Sequence, residues 1–167
     1  MFTITPCGLQ HLDAILDVER EALGTLERPD QLRRNTKQMW RTCLQEPHLC
    51  LGAWVGEELA AFAVLYVPQH GDGEALAPLL TQVDATSFTA AHFKVCIVRP
   101  RWHGHGLQVT LGRQLHEEAR KRGCNLLCAT ASPYNTASVK SLQRLGYRPD
   151  HTLVKYGFER TLFFCFN

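Results

Sequence analysis

The chain reads as an α/β domain built on a mixed sheet, and three features of its 167 residues carry that reading. In the middle, β-favouring runs alternate with segments whose apolar residues recur every three or four positions, as strands joined by crossover helices do. Ahead of that stretch, two β-favouring runs flank Gly56-Glu57-Glu58, the pattern of an antiparallel hairpin. Behind it, more β-favouring segments end the chain. Alternating elements inside and paired strands outside make the expected sheet mixed rather than parallel.

Each element has a local pattern behind it. Phe2 to Thr5 alternates and is closed by Pro6, which predicts a first strand. From Gly8 to Leu23, Leu12, Ile15, Leu16, Val18 and Leu23 share a helical face. Asp30 is placed to cap a second helix reaching about Gln45, with Leu32, Met39, Trp40 and Leu44 as its apolar side. Strands are predicted at His48 to Val55 and Leu59 to Val67. Pro68 to Ser87 is a long connection containing Glu74 to Val83, a short helical stretch interrupted by Pro78. Such a segment is either a binding loop or simply mobile, and the residues leave both open. Ala91 to Val98 is the clearest strand. Leu107, Leu111, Leu115 and Ala119 then recur every four residues as an amphipathic stripe, closed at Gly123. Asn125 to Ala131 reads as a buried strand, and Ala137 to Leu145 as a helix ended by Gly146. Strands around Tyr147, at His151 to Tyr156 and at Arg160 to Phe166 finish one domain spanning 1–167.

Composition narrows the function. Eighteen basic and 16 acidic side chains leave a net charge of +2, so no dominant positive field points to nucleic acid or an anionic membrane. No apolar run approaches the ~20 residues needed to span a bilayer. Met1 to Glu19 carries Asp13 and Asp17 and lacks the basic-then-apolar layout of a leader, so a cytoplasmic location is expected. Seven cysteines, several inside apolar runs, read as buried free thiols rather than a disulfide framework. Cys124-x-x-x-Cys128 has no second pair to complete a zinc site, and no metal is expected.

The stretch that carries chemistry is Cys96-Ile97-Val98-Arg99-Pro100-Arg101-Trp102-His103-Gly104-His105-Gly106-Leu107-Gln108. It puts a glycine-rich turn between a strand and a helix. A helix start offers unpaired N–H groups and partial positive charge, and glycine lets the backbone approach an anion, so a diphosphate is favoured there. The Walker pattern is absent, and Val109 stands where a dinucleotide fold wants a third glycine. A metal site at His103-x-His105 would lack further ligands. A turn that binds nothing remains the plain alternative.

This stretch resembles the coenzyme A signature of the GNAT acetyltransferase superfamily, Val-x-Pro-x-x-Arg/Gln-x-x-Gly-x-Gly/Ala. Val98, Pro100 and Gly106 match, and Gly104 matches a glycine common just after the Arg/Gln. His103 replaces the Arg or Gln, and Gln108 the last small residue. Downstream, Asn135-x-x-Ser138 with Gly146-Tyr147 after it resembles the family's Asn-x-x-Ala/Ser…Gly-Phe/Tyr segment, although Asn135 alone also suits a helix N-cap. The resemblance covers roughly Ala91 to Tyr147. It implies roughly six or seven strands in a mixed sheet flanked by about four helices. It also implies acetyl-CoA as cosubstrate, bound where Ala91–Val98 and Asn125–Ala131 splay apart. Cys96, Ile97, Val98, His103, Gly104, His105, Gly106, Leu107, Gln108 and Asn135 are the implied cofactor-binding residues.

The activity implied is that of an N-acetyltransferase acting on a primary amine of a small molecule or a peptide or protein N-terminus. The reaction needs a base for the ammonium proton. Period-2 alternation puts His92 on one strand face with Lys94, Cys96 and Val98, and the resemblance implies that a Glu or His there serves as base. An imidazole titrating near 6.5 suits the task, although a half-buried structural histidine would read the same. The family's acid is a tyrosine where this chain has Leu142, so no acid is assigned. That departure motivates the alternative of a coenzyme A-binding domain without transfer activity. Asp13, Asp17, Glu19, Glu21 and Glu27 make the first helix acidic, either as a solvated face or as an attractor of cationic amines. The Phe163-Phe164-Cys165-Phe166 end could pair across a homodimer.

Overall fold

A computed structural model describes all residues, 1–167. The first strand, β1 (Thr3–Cys7), leads through a single 3-10 turn into α1 (Leu12–Leu23), and α2 (Lys37–Cys43) comes after it. A hairpin of β2 (Leu49–Val55) and β3 (Glu58–Tyr66) is next, then β4 (Ala90–Val98), α3 (Leu107–Lys121), β5 (Leu126–Ala131), α4 (Thr136–Arg144), β6 (Arg148–Lys155) and β7 (Phe158–Phe166). The seven strands form one sheet in the order β1-β2-β3-β4-β5-β7-β6, antiparallel throughout except for the central β4–β5 pair. The mixed sheet expected from the sequence is therefore present.

Helices cover both faces. Leu107, Leu111, Leu115 and Ala119, the stripe read from α3, pack with Phe93, Leu127 and Phe163 on one side. Ile15 and Val18 of α1 and Trp40 of α2 pack with Phe62, Val64 and Ile97 on the other. Gly112 has a definite task in that packing. A Cβ there would meet Leu145 Cδ1 at 2.5 Å and Phe93 Cε2 at 2.9 Å, so any larger residue would have to displace these side chains where α3 packs on α4 and the sheet.

Two local expectations need correcting. Asp30 caps no helix: it lies in a 3-10 turn begun by Pro29, and Leu32 beyond it is extended. The cap of α2 is Thr36, whose hydroxyl accepts from Met39 N at 3.1 Å. The connection from Val67 to Thr89 also has no α-helix, only 3-10 turns at Ala77–Leu79 and Ala85–Ser87. Pro78, in the middle of the stretch, cannot donate the bond a longer helix needs there. The segment is nevertheless tied down. Tyr66 Oη donates to Asp72 at 2.6 Å, Leu76 N donates to His92, and Asp150 accepts from the Thr81 and Gln82 amides.

The acidic character of α1 also has a structural explanation. Asp17 and Glu21 both accept from Arg99 Nη1, at 2.9 and 2.6 Å, and buried Glu19 accepts from Asn35 N. Those carboxylates fasten α1 to the end of β4 and to the segment before α2.

Candidate active site

The site begins with a failure of pairing. β4 and β5 are in register only at Ala90–Leu126, Ala91–Leu127 and His92–Cys128. Beyond them β5 stays paired with β7 and β4 with β3, but the two no longer pair with each other. The backbone edge of β4 facing β5 therefore has no strand partner over Phe93–Val98. A bulge assists: Val64 opposes Val95 and Leu65 opposes Phe93, so Lys94 is an extra residue in β4.

That bulge overturns the simple alternation along β4. Phe93, Cys96 and Val98 face α3, whereas Val95 and Ile97 face α1 and α2. His92 and Lys94 are not on the Cys96 face. His92 lies beside Tyr66, with ring centroids 5.6 Å apart, and its Nε2 accepts from Leu76 N at 3.1 Å. It is 2 % exposed, and burial, then the charge of Lys94, pushes its pKa down to about 3. Buried, with Nε2 committed to Leu76 N and lining neither the cleft nor the chamber past the splay, this imidazole is poorly placed to take a proton from an ammonium. A period-2 rule cannot see an inserted residue, and His92 is a core histidine.

Past the splay lies a cleft of about 400 Å³. Cys96, Ile97, Val98, His103, Gly104, Gly106, Leu107, Gln108 and Asn135 all line it. His105 alone of the expected cofactor residues does not: its ring packs edge-on against Phe2 and Trp102. The loop is shaped by Gly104 and Gly106, with φ of 83° and 69°, conformations that side chains disfavour. A Cβ at either would meet nothing within 4 Å, so both glycines leave open space. Thr110 N is the first amide bonded back to Gly106 O, which leaves the amides of Leu107, Gln108 and Val109 without intrahelical acceptors. This cradle suits a diphosphate. His103, in the Arg/Gln position, folds its Nε2–H back onto Val98 O at 3.1 Å and so holds the loop against the strand.

Asn135 does two things. As N-cap of α4, its Oδ1 accepts from Ser138 N at 3.2 Å. Its Nδ2 reaches across to Gln31 O at 3.4 Å, closing the cleft beneath the segment after α1. Ser138 Oγ accepts from Gln108 Nε2, joining α4 to α3.

The cleft runs into a smaller chamber of about 90 Å³ at the splay itself, sharing Cys96, Asn135 and Ser138 with it. Arg33, Lys94, Tyr156 and Arg160 also line this chamber. Glu74 stands behind three of them. It accepts from Arg33 at 3.1 and 3.2 Å, lies 3.8 Å from Lys94 Nζ, and accepts from Tyr156 Oη at 3.4 Å. Arg33 holds the Glu74 carboxyl below its usual range, and burial raises the Tyr156 phenol. The Cys96 thiol is pushed up to about 12 by burial, which keeps it protonated. Leu142, at the family's tyrosine position, is buried in the core and lines neither the cleft nor the chamber.

None of Arg33, Glu74, Tyr156 or Arg160 stands out in the sequence, because three come from connections whose paths no periodicity fixes. Tyr156 does leave a trace. With Gly157 it forms the two-residue turn between Lys155 and Phe158, at φ 59°, where a small Asn or Gly is usual. A bulky residue in a left-handed conformation marks a position held for more than chain reversal.

The family model for the acetyltransferase (GNAT) family matches residues 12–147. No curated protein matches the sequence. Among solved structures, the ribosomal-protein-S18-alanine N-acetyltransferase of Escherichia coli superposes with a TM-score of 0.74 at 20% identity, covering 99% of this chain and 94% of that one. The structure of yncA from Salmonella typhimurium with its cofactor acetyl-CoA gives 0.73 at 17% identity, over 99% and 94%. Arabidopsis thaliana NAA60 in complex with a bisubstrate analogue gives 0.77 at 14% identity, over 100% and 99%.

Proposed function

This chain belongs to the acetyltransferase (GNAT) family, and from that premise we propose that it moves the acetyl group of acetyl-CoA onto a primary amine. The acceptor is a small molecule or a peptide or protein N-terminus. One observation carries the proposal: the splayed β4–β5 edge opens at one end onto the Gly104–Gly106 cradle and at the other onto a polar chamber. A long cosubstrate with a diphosphate at one end and a reactive group at the other fits that continuity.

Amides at the start of α3, with Gly104 and Gly106, would hold the diphosphate. The free edge of Cys96 to Val98 would accept the amide-bearing arm as an added strand, and Asn135 would close over it. Bound acetyl-CoA supplies an activated thioester. The chain's own groups then manage protons. Glu74, an anion at neutral pH, receives the proton that the acceptor ammonium must lose, directly or through one water. Tyr156, kept protonated by burial, donates to the departing sulfur and recovers a proton from Glu74. The N–C bond forms, the C–S bond breaks, and the second amine proton is released to solvent. With its thiol protonated, Cys96 is no nucleophile, which favours direct transfer over an acyl-cysteine route.

The test is acetyl-CoA-dependent thiol release with a panel of primary amines, with acetylated product identified by mass. Amine-dependent release that survives Cys96→Ala supports direct transfer. Tight coenzyme A binding with no turnover of any amine would instead identify a coenzyme A-binding domain.

A further inference from the structure

The chamber at the splay has an electrostatic character that acetyl transfer alone does not require. Arg33, Lys94 and Arg160 all line it. The nearby carboxylates are bonded elsewhere: Glu74 with Arg33 and Lys94, Asp30 with Arg28. The charge of Asp30 reaches Arg160, but no carboxylate is bonded to it. Arg160 is 3 % exposed, and its Nη2 has no hydrogen-bond partner. A buried guanidinium nitrogen without an acceptor is costly, so a chain carries one where something completes it. The sequence around it, Phe158-Glu159-Arg160-Thr161, would place an arginine at the start of β7 at no such cost if it pointed to water.

A second orphan lines the same chamber. Asn35 is 8 % exposed, and its Oδ1 has no donor, although its backbone amide and Nδ2 are both bonded. One wall therefore lacks an anion and another lacks a hydrogen-bond donor. Both residues line the same chamber as Cys96, where the thioester would be presented. A chamber of about 90 Å³ has room for only a few water-sized groups.

Resting on acetyl transfer as the activity, we propose that the acceptor is a small amino acid-like amine whose carboxylate is bound by Arg160, with Asn35 Oδ1 receiving an N–H of its amine. A guanidinium and a carboxylate match in geometry as well as charge. A protein or peptide N-terminus has no free carboxylate beside its amine and would leave Arg160 unpaired. The chamber favours free amino acids over peptides, and the proposal commits to them.

The test compares matched acceptors in the acetyl-CoA assay: the free amino acids, their C-terminal amides, and the amines left after removing the carboxylate. Free acids are expected to exceed both analogues by roughly 10²-fold in kcat/KM, as loss of one partner of a buried charge pair implies. In Arg160→Met the preference should collapse to within a few fold while the acetyl-CoA dissociation constant is retained and the melting temperature holds or rises. Arg160→Lys should keep part of the preference. Amides turned over as well as acids, or an acid preference surviving in Arg160→Met, would overturn the acceptor assignment and leave acetyl transfer standing. If acetyl-CoA binds but no amine of any kind is acetylated, the transferase reading itself fails and this assignment with it.

Discussion

Arg33 grips Glu74 through a two-pronged ion pair, its Nη1 and Nη2 meeting the two carboxylate oxygens at 3.1 and 3.2 Å. The pair joins the segment between α1 and α2 to the connection after β3, two stretches 41 residues apart. It fixes the carboxylate that stands behind Arg33, Lys94 and Tyr156 of the chamber wall. Because Arg33 favours the charged form, Glu74 is always ready but only weakly basic. Glu74→Gln keeps the size and one hydrogen bond while removing the proton acceptor. We expect kcat to fall towards the lower end of the ~10²–10⁴ range for a lost general base, with coenzyme A affinity nearly unchanged. Steady-state kinetics with calorimetric titration measure both, and an unaltered kcat would return the proton to solvent.

Tyr156 gives a separate readout. Its ring stacks under the Arg33 guanidinium at 3.6 Å, while its backbone adopts a conformation that asparagine tolerates better. Tyr156→Asn should therefore cost little stability, because relief of backbone strain offsets the lost stacking. The rate should still fall at least tenfold. A variant that melts as wild type and turns over at full speed would make Tyr156 a turn residue only.

The cofactor cradle is tested at Gly106. Its φ of 69° and the open space around it mean that a side chain there is strained and points where phosphate oxygens would lie. Gly106→Asp should abolish measurable coenzyme A binding in the folded protein. Unchanged affinity by calorimetry would move the diphosphate elsewhere.

Periodicity records local order, and that sets how much of the molecule is legible in its sequence. The α3 stripe at Leu107, Leu111, Leu115 and Ala119, and the glycines at 104, 106, 123 and 146, are local signals with local consequences, and the elements they predict are present. The cofactor cleft is legible for the same reason, since strand, turn and helix N-terminus are contiguous. The chamber is not. Arg33, Glu74, Tyr156 and Arg160 meet only because the sheet order and the β4–β5 splay bring distant segments together. Alternation misplaces His92 because one inserted residue, Lys94, changes the face of everything after it. His105 escapes prediction because proximity in a loop does not fix direction, and the rings of Phe2 and Trp102 draw it away.

Asn135 has two bonds whose losses differ. Removing Oδ1 from Ser138 N unfastens the start of α4 and should cost about 1 kcal/mol. Removing Nδ2 from Gln31 O unfastens the cleft's closing segment. Asn135→Asp keeps the cap and loses only the second bond, whereas Asn135→Ala loses both. We expect Asn135→Ala to melt lower and bind acetyl-CoA more weakly, and Asn135→Asp to melt as wild type but still bind more weakly. Normal binding in Asn135→Asp would reduce Asn135 to a cap.

His92 makes the last prediction, through stability rather than rate. Its folded pKa of about 3 lies far below the ~6.5 of an exposed imidazole, because burial and Lys94 oppose protonation more than Asp72 and Glu74 favour it. As pH falls below about 6.5 the unfolded chain takes up a proton that the folded chain refuses. Stability contributed by the neutral form is therefore complete above that pH and drains away towards pH 3, at up to ~1.4 kcal/mol per pH unit. His116, lowered to about 4 by burial and Arg120, acts in the same direction. The depressed carboxyls of Asp72, Glu74 and Asp150 act only at lower pH, so the interval from pH 6.5 to 5 belongs to the histidines. His92→Gln preserves an acceptor for Leu76 N and removes the titration. Chemical denaturation from pH 7 to 5 should show a slope smaller by nearly one proton in the variant, while the acidic limb of its rate profile stays in place. An equal denaturation slope together with a vanished acidic limb would make His92 the base after all.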